Sequence, residues 1–183
     1  MAKRKRVEVT LSAVVIRANG EIEDKGVLGY WKEPKGKRKQ TPMADVITYT
    51  GFAIVTNTLY QQTLNPKYVG WGTGGATATQ AGTALSTETY STLNNGSNAL
   101  RTTGSLSQQT QTQTNDTFRI TATLTAAANA PTITNVGVFD TNGASGSPTT
   151  PPSGGNLYIW SSFTGIALNA GDSVALTLNV KQI

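Results

Sequence analysis

Apolar and polar residues alternate with a period of two along most of this chain, the mark of strands buried on one face and wet on the other. Val7, Val9, Leu11 and Ala13 alternate with Glu8, Thr10 and Ser12, and an apolar Val14-Val15-Ile16 follows, which predicts a strand over Val7–Ile16. Asn19-Gly20 is a turn pair, so residues 21–25 and 27–31 are expected to fold back as short strands. Tyr68-Val69-Gly70-Trp71-Gly72 reads as a short strand running into a glycine-rich turn. Further on, Phe118, Ile120, Ala122 and Leu124 alternate with Thr117, Arg119, Thr121 and Thr123, giving one buried face and one threonine-lined face. Residues 133–139 and 157–163 are two more strands, separated by a Pro/Gly/Ser loop over residues 141–155. The last strand alternates Val174, Leu176, Leu178 and Val180 with Ala175, Thr177, Asn179 and Lys181, after a turn at Asn169-Ala170-Gly171-Asp172. Gln108 to Asn115 alternates Gln and Thr, which fits a polar edge strand or a strand inside an oligomer.

Two stretches break this period. Residues 44–62 form the one helix candidate, with Phe52, Val55 and Leu59 on a narrow apolar stripe and Asp45 as a possible cap. Their many β-branched residues are poor helix formers, so the helix is expected over about residues 50–61. Residues 73–104 offer Leu85, Tyr90, Leu93 and Leu100 as their apolar residues, too few for a core of their own. Such a segment must lie on something else or stay partly disordered. The expected fold is all-β: an antiparallel β-sandwich or jelly-roll-like domain with one short helix and a basic N-terminal β arm. Residues 1–43 form the arm or small β extension, and residues 44–183 the sandwich.

Charge sharpens that division. Residues 1–39 hold eleven of the fifteen Lys and Arg against five acids, a net +6, whereas residues 40–183 carry a net −1. A basic arm on a neutral, threonine-rich body reads as a part that fastens to a larger surface. The start, Met1 to Arg6, is basic like a signal peptide, but Val7–Leu11 alternates and carries Glu8, so use without secretion-type processing is expected. No apolar run approaches the ~18–20 residues of a membrane span, and no membrane role is expected.

Candidate chemistry is sparse. The chain has no cysteine and no histidine, which removes disulfides, thiolate chemistry, the usual general base and the commonest metal ligand. Outside the arm the carboxylates are Asp45, Glu88, Asp116, Asp140, Asp172 and the terminus, scattered with no spacing that argues for a catalytic pair. An enzyme is not expected, and no catalytic, cofactor-binding or metal-binding residue is assigned. Gly70-Trp71-Gly72-Thr73-Gly74-Gly75 matches G-x-G-x-x-G, but the following Ala76 to Gly82 makes no amphipathic helix. The dinucleotide fingerprint needs that helix, so a turn leaving a strand is the better reading. Trp71, Trp160, Phe118, Phe139 and Phe163 could form a sugar platform, though alternating strands make core packing the default. Glu88 and Arg101 are placed to pair across a loop; exposed, such a pair adds at most about 1 kcal/mol.

From residue 44 onward the order of features resembles a β-rich module of tailed-bacteriophage virion proteins. It has a short helix with an internal glycine (residues 45–59 around Gly51) and a Y-[VI]-G-x-G-T-G strand-turn, matched by Tyr68 to Gly74. An A-L-x-x-E stretch follows (Ala84 to Glu88), then a strand ending G-[VL]-F-[DN] (Gly137 to Asp140) and a closing pair like Ile166 to Thr177. The likeness covers about three quarters of the chain. Family members often carry Arg or Glu before G-[VL]-F, where this chain has Asn135-Val136.

The resemblance implies a virion structural role: a capsid cement (decoration) protein on the capsid surface, assembled in the host cytoplasm, with a tail or head fibre or adaptor subunit as the alternative. Its partner would be the major capsid protein or another virion protein. The protein is expected to form a homo-oligomer, with a trimer favoured. The partner-binding residues are expected to be Lys3, Arg4, Lys5, Arg6, Lys35, Lys37, Arg38 and Lys39, with Tyr30 and Trp31 as apolar anchors. Nucleic acid is the less favoured partner, since no recognition helix or RNA-binding motif accompanies the basic clusters. The strand Val7–Ile16 is expected to add to a sheet edge on a neighbour.

Overall fold

The computed structural model describes residues 7–32, 45–47, 66–89, 100–111, 114, 116–126, 132–143 and 151–182. In chain order the strands are β1 (Val7–Ile16), β2 (Ile22–Lys32), β3 (Asp45–Ile47), β4 (Tyr68–Gly72), β5 (Glu88–Thr89), β6 (Thr102–Thr103), β7 (Ser105–Gln109), β8 (Thr117–Thr125), β9 (Thr132–Phe139), β10 (Leu157–Ala167) and β11 (Ser173–Gln182). They form two antiparallel sheets. The first runs β2-β1-β11-β8-β7 and the second β3-β10-β9-β4-β5, with β6 beside β4.

One core lies between the sheets. The first contributes Val9, Leu11, Ala13, Val15, Ile120, Leu124, Val174, Leu176 and Leu178, the second Val69, Ile133, Val136, Val138, Ile159 and Phe163. The alternation explains this directly: Leu11 opposes Leu178 and Leu178 opposes Ile120, so one apolar row crosses three strands on the same face. The opposite row, Ser12, Thr177 and Thr121, faces outward, as the threonine-lined pattern predicts.

β1 corrects the picture of an appended arm. It is an interior strand, paired with β11 along ten positions and with β2 on its other side. Val9, Leu11 and Val15 are fully buried. Both of its edges are satisfied within the chain, so Val7–Ile16 has none to offer a neighbour. A second correction concerns the first residues of the helix candidate, which are extended. Residues 45–47 form a short strand along β10, with Asp45 opposite Ser161, a conformation their β-branched neighbours Val46 and Ile47 favour. The helix expected over residues 50–61 lies outside the described residues.

The glycine-rich stretch has a packing role. Residues 73–89 leave β4 and cover the outer face of the second sheet, where Ala78 and Leu85 pack with Phe139, Leu157 and Trp160. Thr134 Oγ1 donates to Gly74 O at 2.6 Å, Asn135 Nδ2 to Ser86 O at 3.0 Å, and Ala78 N to Ser162 Oγ at 3.0 Å. Thus Asn135 fastens this loop. Side chains at Gly72, Gly74 or Gly82 would overlap Ser86, Asn135 or the Trp160 ring. The glycines permit close backbone approach.

The loop's far end is closed by a buried ion pair. Arg101 Nε and Nη2 donate to Glu88 Oε1 and Oε2 at 2.8 and 3.0 Å, and Nη1 donates to Gly154 O at 2.8 Å. The guanidinium also lies over the Phe139 ring, 3.4 Å from its centroid. The predicted pair therefore exists, but the two side chains are only 3% and 10% exposed, so it is not a surface bridge. Burial pushes the Glu88 carboxyl above its ordinary range, and Arg101 opposes that shift.

Candidate interaction surface

β2 is an edge strand of the first sheet, and its backbone is irregular. Its register against β1 shifts twice, between Leu11 and Ser12 and between Ala13 and Val14. Each shift inserts one extra residue, Leu28 in the first and Lys25 in the second. Gly26 takes a positive φ of 63°, and Asp24 Oδ1 accepts the Gly26 N–H at 2.7 Å, which locks the second bulge.

These bulges decide which side chains face out. In a regular strand Val27 would point away from both Ile22 and Tyr30, because each lies an odd number of positions away. With two residues inserted, Ile22, Val27 and Tyr30 oppose Ile16, Ser12 and Thr10, all on the outward row of β1. Ile22 is 70% exposed, Val27 58% and Tyr30 46%. Leu28, by contrast, joins the core. The outcome is a row of exposed apolar side chains on an otherwise mostly hydroxyl-lined face, interrupted by Asp24 between Ile22 and Val27. Of its members only Tyr30 is identified by sequence reasoning; a bulge signal at Asp24-Lys25-Gly26 would have been needed to find Ile22 and Val27.

The hairpin also sets where charge sits. Glu8 opposes both Lys32 on β2 and Lys181 on β11. The chain therefore begins β1, just after Lys3, Arg4, Lys5 and Arg6, at the same end of the sheet where β2 finishes, just before Lys35, Lys37, Arg38 and Lys39. Those eight residues lie outside the described ones. Trp31 occupies the β2 position opposite Val9, and its side chain also falls outside. Tyr30 Oη donates to the Glu8 carboxylate on the adjacent strand.

At the opposite end the hairpin turn is tied down. Gly20 N donates to Arg17 O at 2.8 Å, the turn that Asn19-Gly20 predicts, with Gly20 at a φ of 87°. Asp172 accepts from Asn169 N, Ala18 N and Arg17 Nη1 at 2.7–2.8 Å, joining this turn to the one before β11. The backbone bond from Asn169 and then Arg17 hold its carboxyl well down, at about 2. Glu23 bonds Lys25 and Arg17, and both hold its carboxyl below the ordinary range.

The other described carboxylates have equally local tasks. Asp140 accepts from Asn156 N and Nδ2, both at 2.7 Å, and Asp116 accepts from Gln111 N at 2.9 Å. They close separate loops and share no site. Trp71, Trp160, Phe139 and Phe163 are buried in the two cores rather than displayed as a sugar platform. No family model, curated protein or solved structure matches the chain.

Proposed function

We propose that this protein is a structural component of a virion, a decoration protein that binds the major capsid lattice through the basic end of its β1–β2 hairpin. The observation that supports it best is the hairpin register, which starts β1 and finishes β2 at one end of the sheet, the strand ends that the two basic clusters adjoin in sequence. From that end the exposed side chains Tyr30, Val27 and Ile22 follow one another along β2 towards the Asn19-Gly20 turn. Cations with an adjacent exposed apolar stripe suit a protein surface rimmed with carboxylates: the charges steer the approach, and the stripe supplies contact area. Repetition over a symmetric lattice multiplies a modest contact through effective concentration. The fold proposed with this role is a jelly-roll-like sandwich carrying a short helix over residues 50–61; the core between the two antiparallel sheets supports the sandwich.

The test uses purified particles. Reversing the charge at Lys35, Lys37, Arg38 and Lys39 should release the protein at moderate salt, because exposed pairs are screened over ~8–10 Å at physiological ionic strength. Val27→Asp should lower occupancy at every salt concentration, since the apolar contact is not screened. Full occupancy in both variants would sink the docking surface. A copy number of a dozen or so per particle, instead of hundreds, would move the protein from the capsid lattice to a fibre.

A further inference from the structure

The five-stranded sheet has two outer edges, and they are built differently. β2 carries two bulges, a positive-φ glycine and the charged residues Glu23, Asp24, Lys25 and Lys32. Bulges and charges are the devices that keep a strand edge from pairing with another chain. β7 has none of them. Ser105-Leu106-Ser107-Gln108-Gln109 contains no charge and no proline, and it pairs with β8 at five consecutive positions without a register shift. Ser105, Leu106, Ser107 and Gln108 are exposed, and among the described residues no strand pairs with its outer side. Arg119, opposite Ser107 on β8, is engaged on its other flank, where its Nε donates to Asn179 Oδ1 at 2.8 Å. Among the described residues this edge is therefore regular in register, neutral and unpaired on its outer side.

We propose that β7 is a self-association edge: two copies of the chain pair β7 against β7, antiparallel, and continue the sheet across a two-fold axis. A second copy is the occupant that the residues fit. A strand without charge offers nothing to an acidic or a basic partner, whereas its own copy brings no like charges into opposition. Centred on Ser107, the pairing sets Ser107 against Ser107, Leu106 against Gln108 and Ser105 against Gln109. Hydroxyl and amide groups then face each other across the new ladder. Leu106 lies in the core-side row opposite Ile120 but remains 36% exposed at the rim, and the second copy covers it. Self-pairing of one antiparallel edge generates a two-fold axis, so the unit is a dimer and not the trimer expected from sequence. Five residue pairs bury less than the ~1,200 Å² of a standard interface, so a concentration-dependent, roughly micromolar dimer is expected. This inference does not rest on the virion reading.

Sedimentation velocity of the full chain over a concentration series tests it, together with cysteine cross-linking. The native chain has no cysteine, so a single introduced one gives a clean signal. Ser107→Cys should oxidise to a covalent dimer far faster than Val27→Cys, which places an exposed cysteine on the bulged edge. Ser107→Lys should raise the dimer dissociation constant by at least about threefold, the effect of one like-charge pair set directly across two strands. Circular dichroism on each variant checks folding, and if Ser107→Lys fails to fold the cross-linking comparison still decides. A monomer at every concentration, equal cross-linking at the two edges, or a trimer indifferent to Ser107→Lys would overturn the proposal.

Discussion

Replacing Arg101 by methionine should destabilise the protein by about 3–5 kcal/mol, the cost of breaking a buried pair by removing one partner. The structure supports the upper end of that range. Both side chains are almost fully buried, at 3% and 10% exposure, so solvent does little to relieve the abandoned Glu88 carboxylate. Arg101 also donates to Thr141 O at 3.3 Å and to Gly154 O at 2.8 Å, and these carbonyls lose their partner too. For a chain of this size the loss corresponds to a fall in Tm of roughly 10 °C. A solvent-exposed pair would cost at most about 1 kcal/mol, so the two cases separate cleanly in a denaturant titration.

The pH dependence carries a further signature. Without Arg101, nothing opposes the burial that already pushes Glu88 above its ordinary carboxylate range. Its folded-state pKa then lies well above its unfolded one, and the penalty for ionising it is absent below the unfolded value and complete above the folded value. Destabilisation should therefore shrink as pH falls from about 7 towards about 5. Glu88→Gln combined with Arg101→Met should be no worse than Arg101→Met alone, because no buried charge remains. An Arg101→Met loss below about 1 kcal/mol at every pH, or strictly additive single variants, would refute the account of a coupled buried pair.

Three other outcomes follow from the same packing. Asp172 has a folded-state carboxyl at about 2, below its ordinary 3.8, so its stabilisation is present above the unfolded value and lost as pH falls towards 2. Asp172→Asn should accordingly lower stability at neutral pH and flatten the acid limb of the stability profile, measured by denaturant midpoints from about pH 6 downward. Gly82→Ala places a methyl against Cε3 and Cζ3 of Trp160 and should cost about 1–3 kcal/mol; tryptophan fluorescence and amide exchange should report the change in residues 73–89. Leu11→Ala should lower global stability by about 2–5 kcal/mol, read as a single cooperative transition, because β1 lies inside the shared core.

The strands were legible because a period of two is a local property. Val7–Ile16, the Asn19-Gly20 turn and the alternating threonine face of β8 all follow from neighbours in sequence. Pairing is not local, and the errors fall there. The basic surplus of residues 1–39 is read as an arm because charge is counted along the chain, whereas Leu11 belongs to a row with Leu178 and Ile120. The same holds for Glu88 and Arg101: their meeting could be anticipated, but not the depth at which they meet, which depends on Phe139 beneath them and Gly154 beside them. Ile22 and Val27 were missed for a different reason. Parity along β2 is broken twice, and a count by twos assigns them to opposite faces.

Parity, bulges and charge also let the two proposed contacts share one sheet without conflict. The row of Ile22, Val27 and Tyr30 points out of the sheet face, and the bulged β2 backbone is poorly shaped to continue the ladder. A partner meeting this side must therefore bind by side chains. β7 presents the reverse case: its side chains are neutral, its register is regular and, among the described residues, nothing pairs with its outer side, so the contact proposed there runs through the main chain. Four strand spacings of about 4.8 Å separate β2 from β7, roughly 20 Å in all. A surface docked along the hairpin can thus leave the opposite edge clear for a second copy. Each contact then draws on a different kind of interaction, so salt acts strongly on the first and weakly on the second.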